Sequence, residues 1–169
     1  MTKLWFTSDT HFGQSSVLDN RPDFGSVEEM DETIIDNWNT VVGVEDVVMH
    51  LGDFTYLNNT NPRKYTDRLN GKIFLCIGNH DGEALRDVDL FEGTFFYNEI
   101  TLGDTSIVVC HYPFAEWSGY WKGGWHLHGH LHGRCDVVTP VKKRVDVSTN
   151  IHNFTPITFE EVVAYEENR

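Results

Sequence analysis

The sequence has few cysteines and no long apolar run, and each shortage excludes a class of protein. Its 169 residues contain three cysteines, Cys76, Cys110 and Cys135, without a Cys-x-x-Cys spacing, so neither a disulfide framework nor a cysteine zinc site is expected. No apolar run approaches the ~20 residues of a membrane-spanning helix, and the amino-terminal segment lacks the apolar stretch of a signal peptide. We therefore expect reduced, packed thiols in a cytoplasmic protein without a membrane partner.

Positive charge is also scarce. Lys and Arg total 13 against 26 Asp and Glu, which gives a net charge of −13. Proteins that bind long nucleic acids need the opposite sign, because cations make the phosphate contacts. Long nucleic acid is therefore disfavoured as a partner. The length predicts one domain over residues 1–169, and the oligomeric state stays open between monomer and dimer.

Short apolar strands alternate with amphipathic segments, which favours a layered α/β sandwich. Strands are predicted over residues 4–7, 46–50, 72–77, 91–101, 105–110 and 125–128, with a late antiparallel pair at 137–138 and 145–147. Apolar residues at three- and four-residue steps predict a helix over 27–41, which Ser26 and Glu29 begin as a capping box. Further helices are predicted to begin at Asn61-Pro62 and after Thr158.

Nine histidines are present, and most of them lie beside Asp, Asn or Gly. Five predicted strands are each followed by side chains that can ligate a metal. These are Asp9, His11, Asp53, Asn79, His111, His130 and His132. Because ligands of α/β sheets bind at the carboxyl ends of strands, these side chains are expected to converge on one pocket.

The mixture of carboxylates, imidazoles and an amide exceeds the four ligands of one tetrahedral zinc. It suits two divalent ions, which repel each other and need a shared anion. Asp53 fits as the bridging carboxylate, since it stands alone after Gly52 at the end of a central strand. The glycines at 52, 78 and 129 are expected to let the backbone turn sharply or pass close to the ions.

Taken in order, the motifs resemble the calcineurin-like metallophosphoesterase superfamily, in particular its small single-domain bacterial and phage members. The motifs are Asp9-x-His11, Gly52-Asp53, Gly78-Asn79-His80-Asp81, His111 and Gly129-His130-x-His132. The resemblance extends from Ser8 to His132. It implies a four-layer α/β/β/α sandwich and hydrolysis of phosphate esters by a hydroxide that bridges two metals.

The resemblance also assigns roles to the motif residues. One metal would be held by Asp9, His11, Asp53 and His132. The other would be held by Asp53, Asn79, His111 and His130. His80 would act as general acid at the leaving-group oxygen or stabilise the charge there, and Asp81 would orient it. Mixed oxygen and nitrogen donors admit iron, zinc, nickel or magnesium, and manganese is our working choice.

Substrate contacts are less specified. Small members of the family often carry a second histidine where this chain has Gln14, so we expect altered substrate contacts there. Arg21 is a candidate phosphate contact. Trp117, Tyr120 and Trp121 lie in a glycine-rich segment over 112–125. That segment forms either an aromatic wall beside the metals, on which a nucleotide base would stack, or a hydrophobic flap or dimer contact.

These observations predict a dinuclear phosphoesterase that hydrolyses small phosphodiesters or phosphomonoesters, with a nucleotide-like substrate favoured. Even two divalent cations leave the chain strongly acidic, so long polyanions are repelled. The alternatives are a metal-dependent nuclease of the same fold, a non-catalytic metal-binding scaffold and a mononuclear zinc hydrolase.

Overall fold

The computed structural model describes residues 2–56, 60–82, 84–86, 88–134 and 137–169. Within these ranges two sheets are formed by β1 (Leu4–Thr7), β2 (Val47–His50), β3 (Lys72–Cys76), β4 (Gly93–Phe95), β5 (Tyr97–Leu102), β6 (Thr105–Cys110), β7 (Trp125–His128), β8 (Arg144–Asp146) and β9 (Ile157–Thr158). The helices are α1 (Val27–Val41), α2 (Arg63–Thr66) and α3 (Phe159–Glu167). The predicted helix 27–41 and the strands 4–7, 105–110 and 125–128 have the observed bounds.

The two sheets run largely parallel. The first has the order β4-β3-β2-β1-β9, and the second has the order β5-β6-β7-β8. Only the edge strands β9 and β5 pair antiparallel to their neighbours in the described sheets. The carboxyl ends of β1, β2 and β3 therefore lie along one edge of the first sheet, and those of β6, β7 and β8 along one edge of the second.

Alternation of apolar side chains along the strands produces two cores. Trp5 and Val48 lie on the face of the first sheet that packs against the buried face of α1. Phe6 and Met49 point the other way, into a core shared with β6, β7 and β8. The helix begins at Ser26, whose side chain accepts a hydrogen bond from the backbone N–H of the third helical residue. One sheet thus buries both faces, which explains its nearly continuous apolar strands.

The outer face of the second sheet carries polar side chains and is covered by loops. The ring of Phe114 stacks on His126 at 4.9 Å, and Trp117 lies 5.4 Å from the same ring. Arg144 donates to the Phe114 carbonyl oxygen at 2.9 Å. The predicted α/β/β/α sandwich is confirmed, with its fourth layer reduced to loops and short 3-10 turns. None of the described helices has the length and apolarity needed to cross a membrane.

Two predicted elements differ in the structure. The strand predicted over 91–101 is two strands, because the chain leaves the first sheet after β4 and enters the second as β5. The late antiparallel pair was wrong, since β8 pairs in parallel with β7. Val137 is 56% exposed and contributes no buried face to a strand. Cys76 and Cys110 are buried and unpaired, and Cys135 lies outside the described residues.

Candidate metal centre

Six of the seven predicted ligands form two compact groups at the carboxyl ends of the strands. Asp9, His11 and His132 make the first group, and Asp53, His111 and His130 make the second. Within each group the ligand atoms lie within 4.8 Å of one another. The loops after β1 and β2 run side by side, with the His11 N–H donating to the Asp53 carbonyl oxygen at 3.0 Å.

The carboxylate of Asp53 lies between the two groups. Its Oδ2 atom is 3.6 Å from His11 Nε2 and 3.5 Å from His111 Nε2. Its other oxygen accepts a hydrogen bond from the His80 backbone N–H at 2.8 Å. Burial, reinforced by the charge of Asp9, raises the pKa of Asp53 to about 8. Cations bound between Asp53 and Asp9 would stabilise both buried carboxylates in their ionised forms.

Hydrogen bonds orient two of the imidazoles toward the centre. His111 Nδ1 is 2.8 Å from the Leu51 carbonyl oxygen, which can only accept, so the Nδ1–H donates and Nε2 is turned toward Asp53. His11 Nδ1 is 2.6 Å from Gln14 Oε1 and is oriented in the same way. Gln14, which we expected to contact substrate, thus supports a ligand as well as lining the neighbouring cavity.

Arg21 is a structural clamp behind the first group, not a phosphate contact. It is buried, and its Nη1 donates to the Thr10 carbonyl oxygen at 2.9 Å. Its Nη2 donates to the Asp9 carbonyl oxygen and, at 2.8 Å, to Asn150 Oδ1. The same Asn150 oxygen lies 3.3 Å from His132 Nδ1. Because these donors are used inside the protein, Arg21 is not available to a substrate.

Asn79 completes the second group. Its Oδ1 atom lies 3.1 Å from His111 Nε2 and 3.0 Å from His130 Nδ1. The exposed phenol of Tyr112 is 3.5 Å from the same oxygen. An amide oxygen, a carboxylate and two imidazoles facing one point match the oxygen and nitrogen donors that divalent transition metals accept.

The ligand loops are held in an uncommon backbone conformation. Five ligands have positive φ angles, which non-glycine residues rarely adopt. They are Asp9 (56°), His11 (51°), Asp53 (56°), His130 (70°) and His132 (53°). Such strain is concentrated at functional sites, where the surrounding structure imposes it.

Two glycines allow ligand side chains to approach the backbone closely. A Cβ at Gly78 would lie 2.3 Å from Asp53 Oδ1, and one at Gly129 would lie 2.3 Å from Asp9 Oδ2. Both distances are far below van der Waals contact. We expected the backbone to pass close to the ions at these glycines. In the structure it passes close to the two carboxylates that would hold the ions.

The side chains of His80 and Asp81 contact different parts of the site and not each other. The half-buried imidazole of His80 stands at the centre, 5.5 Å from the His11 ring, and its Nδ1 has no hydrogen-bond partner among the described residues. Asp81 is buried and accepts hydrogen bonds from the backbone N–H groups of Asp53 (2.7 Å), Phe54 (2.8 Å) and Gly78 (2.8 Å). Asp81 therefore fixes the loops that carry the ligands and does not orient His80.

The sequence reasoning missed a supporting set that follows β8. The Ser148 hydroxyl lies 3.0 Å from Asp9 Oδ2 and also contacts buried Asp146. Asp146 accepts in turn from the Gly133 N–H at 2.9 Å. Asn150 belongs to the same segment. The rule that polar residues follow strands would have found these residues if it had been applied beyond His132.

The aromatic segment lies away from the ligands. A cavity of about 540 Å³ adjoins the first ligand group and His80. Trp117, Tyr120 and Trp121 instead line a separate cavity of about 670 Å³. Since β6 and β7 are parallel, the chain must return to the start of β7, at the sheet end opposite the ligands. The aromatic wall beside the metals is therefore excluded, and Trp117 is buried, with its indole N–H bonded to the Gly124 carbonyl.

The fold and the two ligand groups define a metal-dependent phosphoric ester hydrolase. The chain belongs to the calcineurin-like phosphoesterase family, whose sequence model matches residues 2–162.

The chain is also similar to individual proteins from other sources. An uncharacterised protein of Methanocaldococcus jannaschii is 33% identical over 172 residues, which cover 96% of this chain and 90% of that protein. The Gene 66 protein of Mycobacterium phage L5 is 29% identical over 136 residues, covering 68% of this chain and 65% of its own length. A solved protein of unknown function from Aquifex aeolicus has the same fold, with a TM-score of 0.78, 23% identity and coverage of 98% and 100%.

Proposed function

We propose that this protein is a dinuclear metal phosphoesterase that hydrolyses small phosphodiesters or phosphomonoesters, with a nucleotide-like substrate favoured. The observation that carries the proposal is the position of Asp53 Oδ2, within 3.6 Å of one imidazole from each ligand group. A carboxylate so placed can bridge two cations. Asp9, His11 and His132 would complete one site, and Asn79, His111 and His130 the other.

The residues fit such a pair of cations. The Nε2 atoms of His11 and His111, one from each group, lie within 3.6 Å of Asp53 Oδ2, while the Nδ1 atom of each ring is held by a hydrogen bond on its far side. Buried carboxylates such as Asp53 need compensating positive charge. When bound, two divalent ions neutralise the phosphate oxygens and lower the pKa of a water. Manganese remains the working choice.

His80 is the residue of this chain that would transfer a proton. In hydrolysis a water oxygen bonds to phosphorus, the bond from phosphorus to the leaving oxygen breaks, and that oxygen takes up a proton. The His80 ring lies between the first ligand group and Tyr56, 5.1 Å from the tyrosine ring, and it lines the adjoining cavity. A side chain here can hold a proton toward a leaving oxygen.

The charge of the chain supports a small substrate. At −13 the molecule repels long polyanions, while the site itself collects cations. A nuclease that acts on long chains is therefore the weaker alternative, and a scaffold without catalysis would leave the position of His80 unexplained. A cytoplasmic location and a monomeric or dimeric state stay predictions from the sequence.

A panel of phosphate esters assayed with manganese tests the proposal. It contains 4-nitrophenyl phosphate, bis(4-nitrophenyl) phosphate, cyclic nucleotides, a dinucleotide and single-stranded DNA. We expect turnover of the small esters that is abolished by chelation and restored by manganese. Turnover of long DNA alone would favour the nuclease, and no turnover with two metals bound would favour the scaffold.

A further inference from the structure

The cavity beside the first ligand group is asymmetric with respect to the metal centre. His11, His132 and His80 line it, whereas the ligands of the second group do not contribute to its described wall. Because His80 is placed to protonate the leaving oxygen, the part of a substrate attached to that oxygen would extend into this cavity. At about 540 Å³ the cavity is large enough for a small organic group.

The wall of this cavity differs in charge from the rest of the molecule. Asp and Glu outnumber Lys and Arg by two to one in the chain, yet neither Asp nor Glu is found among the described residues that line the cavity. Arg134 is the sole Lys or Arg on that described wall. Apart from the three histidines, the other polar side chains there are amides and hydroxyls, including Asn20 and Ser16, and Tyr56 adds an aromatic face.

Arg134 is fixed to the ligand loop itself. It follows His132 by two residues, and its Nε donates to the Leu131 carbonyl oxygen at 3.2 Å. The residue is exposed, so the two terminal nitrogens of its guanidinium can meet a ligand. A guanidinium presents a planar pair of donors that matches the oxygens of a phosphate.

We infer that this cavity receives a leaving group that carries a phosphate of its own, and that Arg134 recognises this second phosphate. The substrate class is a short phosphodiester whose leaving alcohol is a phosphorylated nucleoside, with Tyr56 available to its base. The inference rests on the proposed function, and it adds a specificity-determining residue. In the hydrolysis, water bonds to the central phosphorus, and the 5′ oxygen of the phosphorylated nucleoside leaves with a proton.

The test compares adenylyl-(3′→5′)-adenosine (ApA) with the same compound bearing a terminal 3′-phosphate (ApAp), using the manganese-loaded protein. Wild type is expected to show kcat/KM at least about tenfold higher for ApAp, the scale of a charge-assisted bond to phosphate. In Arg134→Ala the ratio of the two kcat/KM values falls to about one. Arg134→Lys keeps part of the preference, because the charge remains while the paired donors are lost.

Lys122→Ala is the matched control. It removes an exposed cation from the separate cavity lined by the aromatic segment, and it changes the net charge by the same amount as Arg134→Ala. It is expected to retain the full preference for ApAp. Equal kcat/KM for ApA and ApAp in wild type, or a preference that survives in Arg134→Ala, overturns the inference. Hydrolysis of bis(4-nitrophenyl) phosphate reports on the proposed function separately, because its leaving group carries no anion.

A binding measurement decides the inference even if no ester is hydrolysed. Titration calorimetry compares adenosine 3′,5′-bisphosphate with adenosine 5′-monophosphate on the manganese-loaded protein. The bisphosphate is expected to bind about tenfold more tightly to wild type and to lose that advantage in Arg134→Ala but not in Lys122→Ala. Equal affinities in wild type would overturn the inference.

Discussion

The Nε2 atoms of His11 and His132 lie 3.3 Å apart, and the two rings stack with centroids 5.0 Å apart. Gln14 binds Nδ1 of the first ring and Asn150 binds Nδ1 of the second. The two Nε2 atoms are therefore left directed at one another across the first ligand group, where both could coordinate a single cation.

Metal binding is expected to stabilise the fold substantially. Because the ligands are brought together only in the folded chain, manganese at about 100 times its Kd should add ~2.7 kcal/mol to the free energy of unfolding. For a chain of this length the melting temperature would rise by roughly 5–10 °C. Calorimetric melting with manganese and with a chelator measures the difference, and identical curves would contradict it.

Asp53→Ala is expected to lose both metals together, because one carboxylate serves both groups. Elemental analysis after dialysis against micromolar manganese should fall from two ions per chain to none. Asp104→Ala removes an exposed carboxylate from the β5–β6 turn and should keep both ions. One ion still bound tightly to the Asp53 variant would rule out the bridge.

His80→Ala is expected to retain both metals and to lose roughly 10²–10⁴-fold in kcat. The loss should be smallest for esters of nitrophenol, whose leaving oxygen needs no proton, and largest for alkyl esters. Initial rates on a series of leaving groups measure this dependence. An equal loss across the series would remove the acid role.

Gly78→Ala is expected to abolish metal binding, although it adds only a methyl group. The new Cβ would stand 2.3 Å from Asp53 Oδ1 and 2.6 Å from its backbone nitrogen, so the bridging carboxylate must move. Gly43→Ala is the control, because its Cβ would meet its nearest neighbour at an ordinary 3.4 Å. Manganese titration of both variants tests the claim, and wild-type affinity in Gly78→Ala would refute it.

Acid is expected to destabilise the fold through His126. Burial, with the nearby His128, lowers its pKa to about 3, against ~6.5 when unfolded. Between these values the unfolded chain binds a proton that the folded chain does not, so stability falls as pH drops below about 6.5. Relative to wild type, His126→Gln should flatten this dependence by at most ~1.4 kcal/mol per pH unit. Denaturant unfolding at pH 7, 6 and 5 gives both slopes, which should differ.

Patterns among neighbouring residues predicted most helices and strands well. The prediction was limited where strand bounds or directions depend on pairing between distant segments. The residues of α1 repeat at helical spacing and are capped by Ser26, so its bounds could be read directly. The break at Phe96 could not be read directly. The chain crosses there from one sheet to the other without a turn, so no turn-forming residue marks the crossing. The orientation of β8 depends on where the preceding loop returns, which no local pattern records.

At the site, the ligand types and their order were readable, because each ligand follows a strand. The partners that orient them were less accessible. Arg21 is a candidate phosphate contact from its charge alone, whereas its burial against Asn150 could only be found from the fold. The aromatic segment was expected beside the metals for a related reason. A sequence gives the length of the connection between two strands, but not the end of the sheet at which the connection lies.

The left-handed backbone at five ligands has a consequence for how the centre assembles. Backbone hydrogen bonds between neighbouring loops hold these conformations, among them the bond from the Asp9 N–H to the Gly52 carbonyl oxygen and that from the His11 N–H to the Asp53 carbonyl oxygen. We therefore expect the ligand loops to rearrange little when cations bind. Metal exchange should then be governed by shedding of water from the incoming ion, with little rearrangement of the polypeptide.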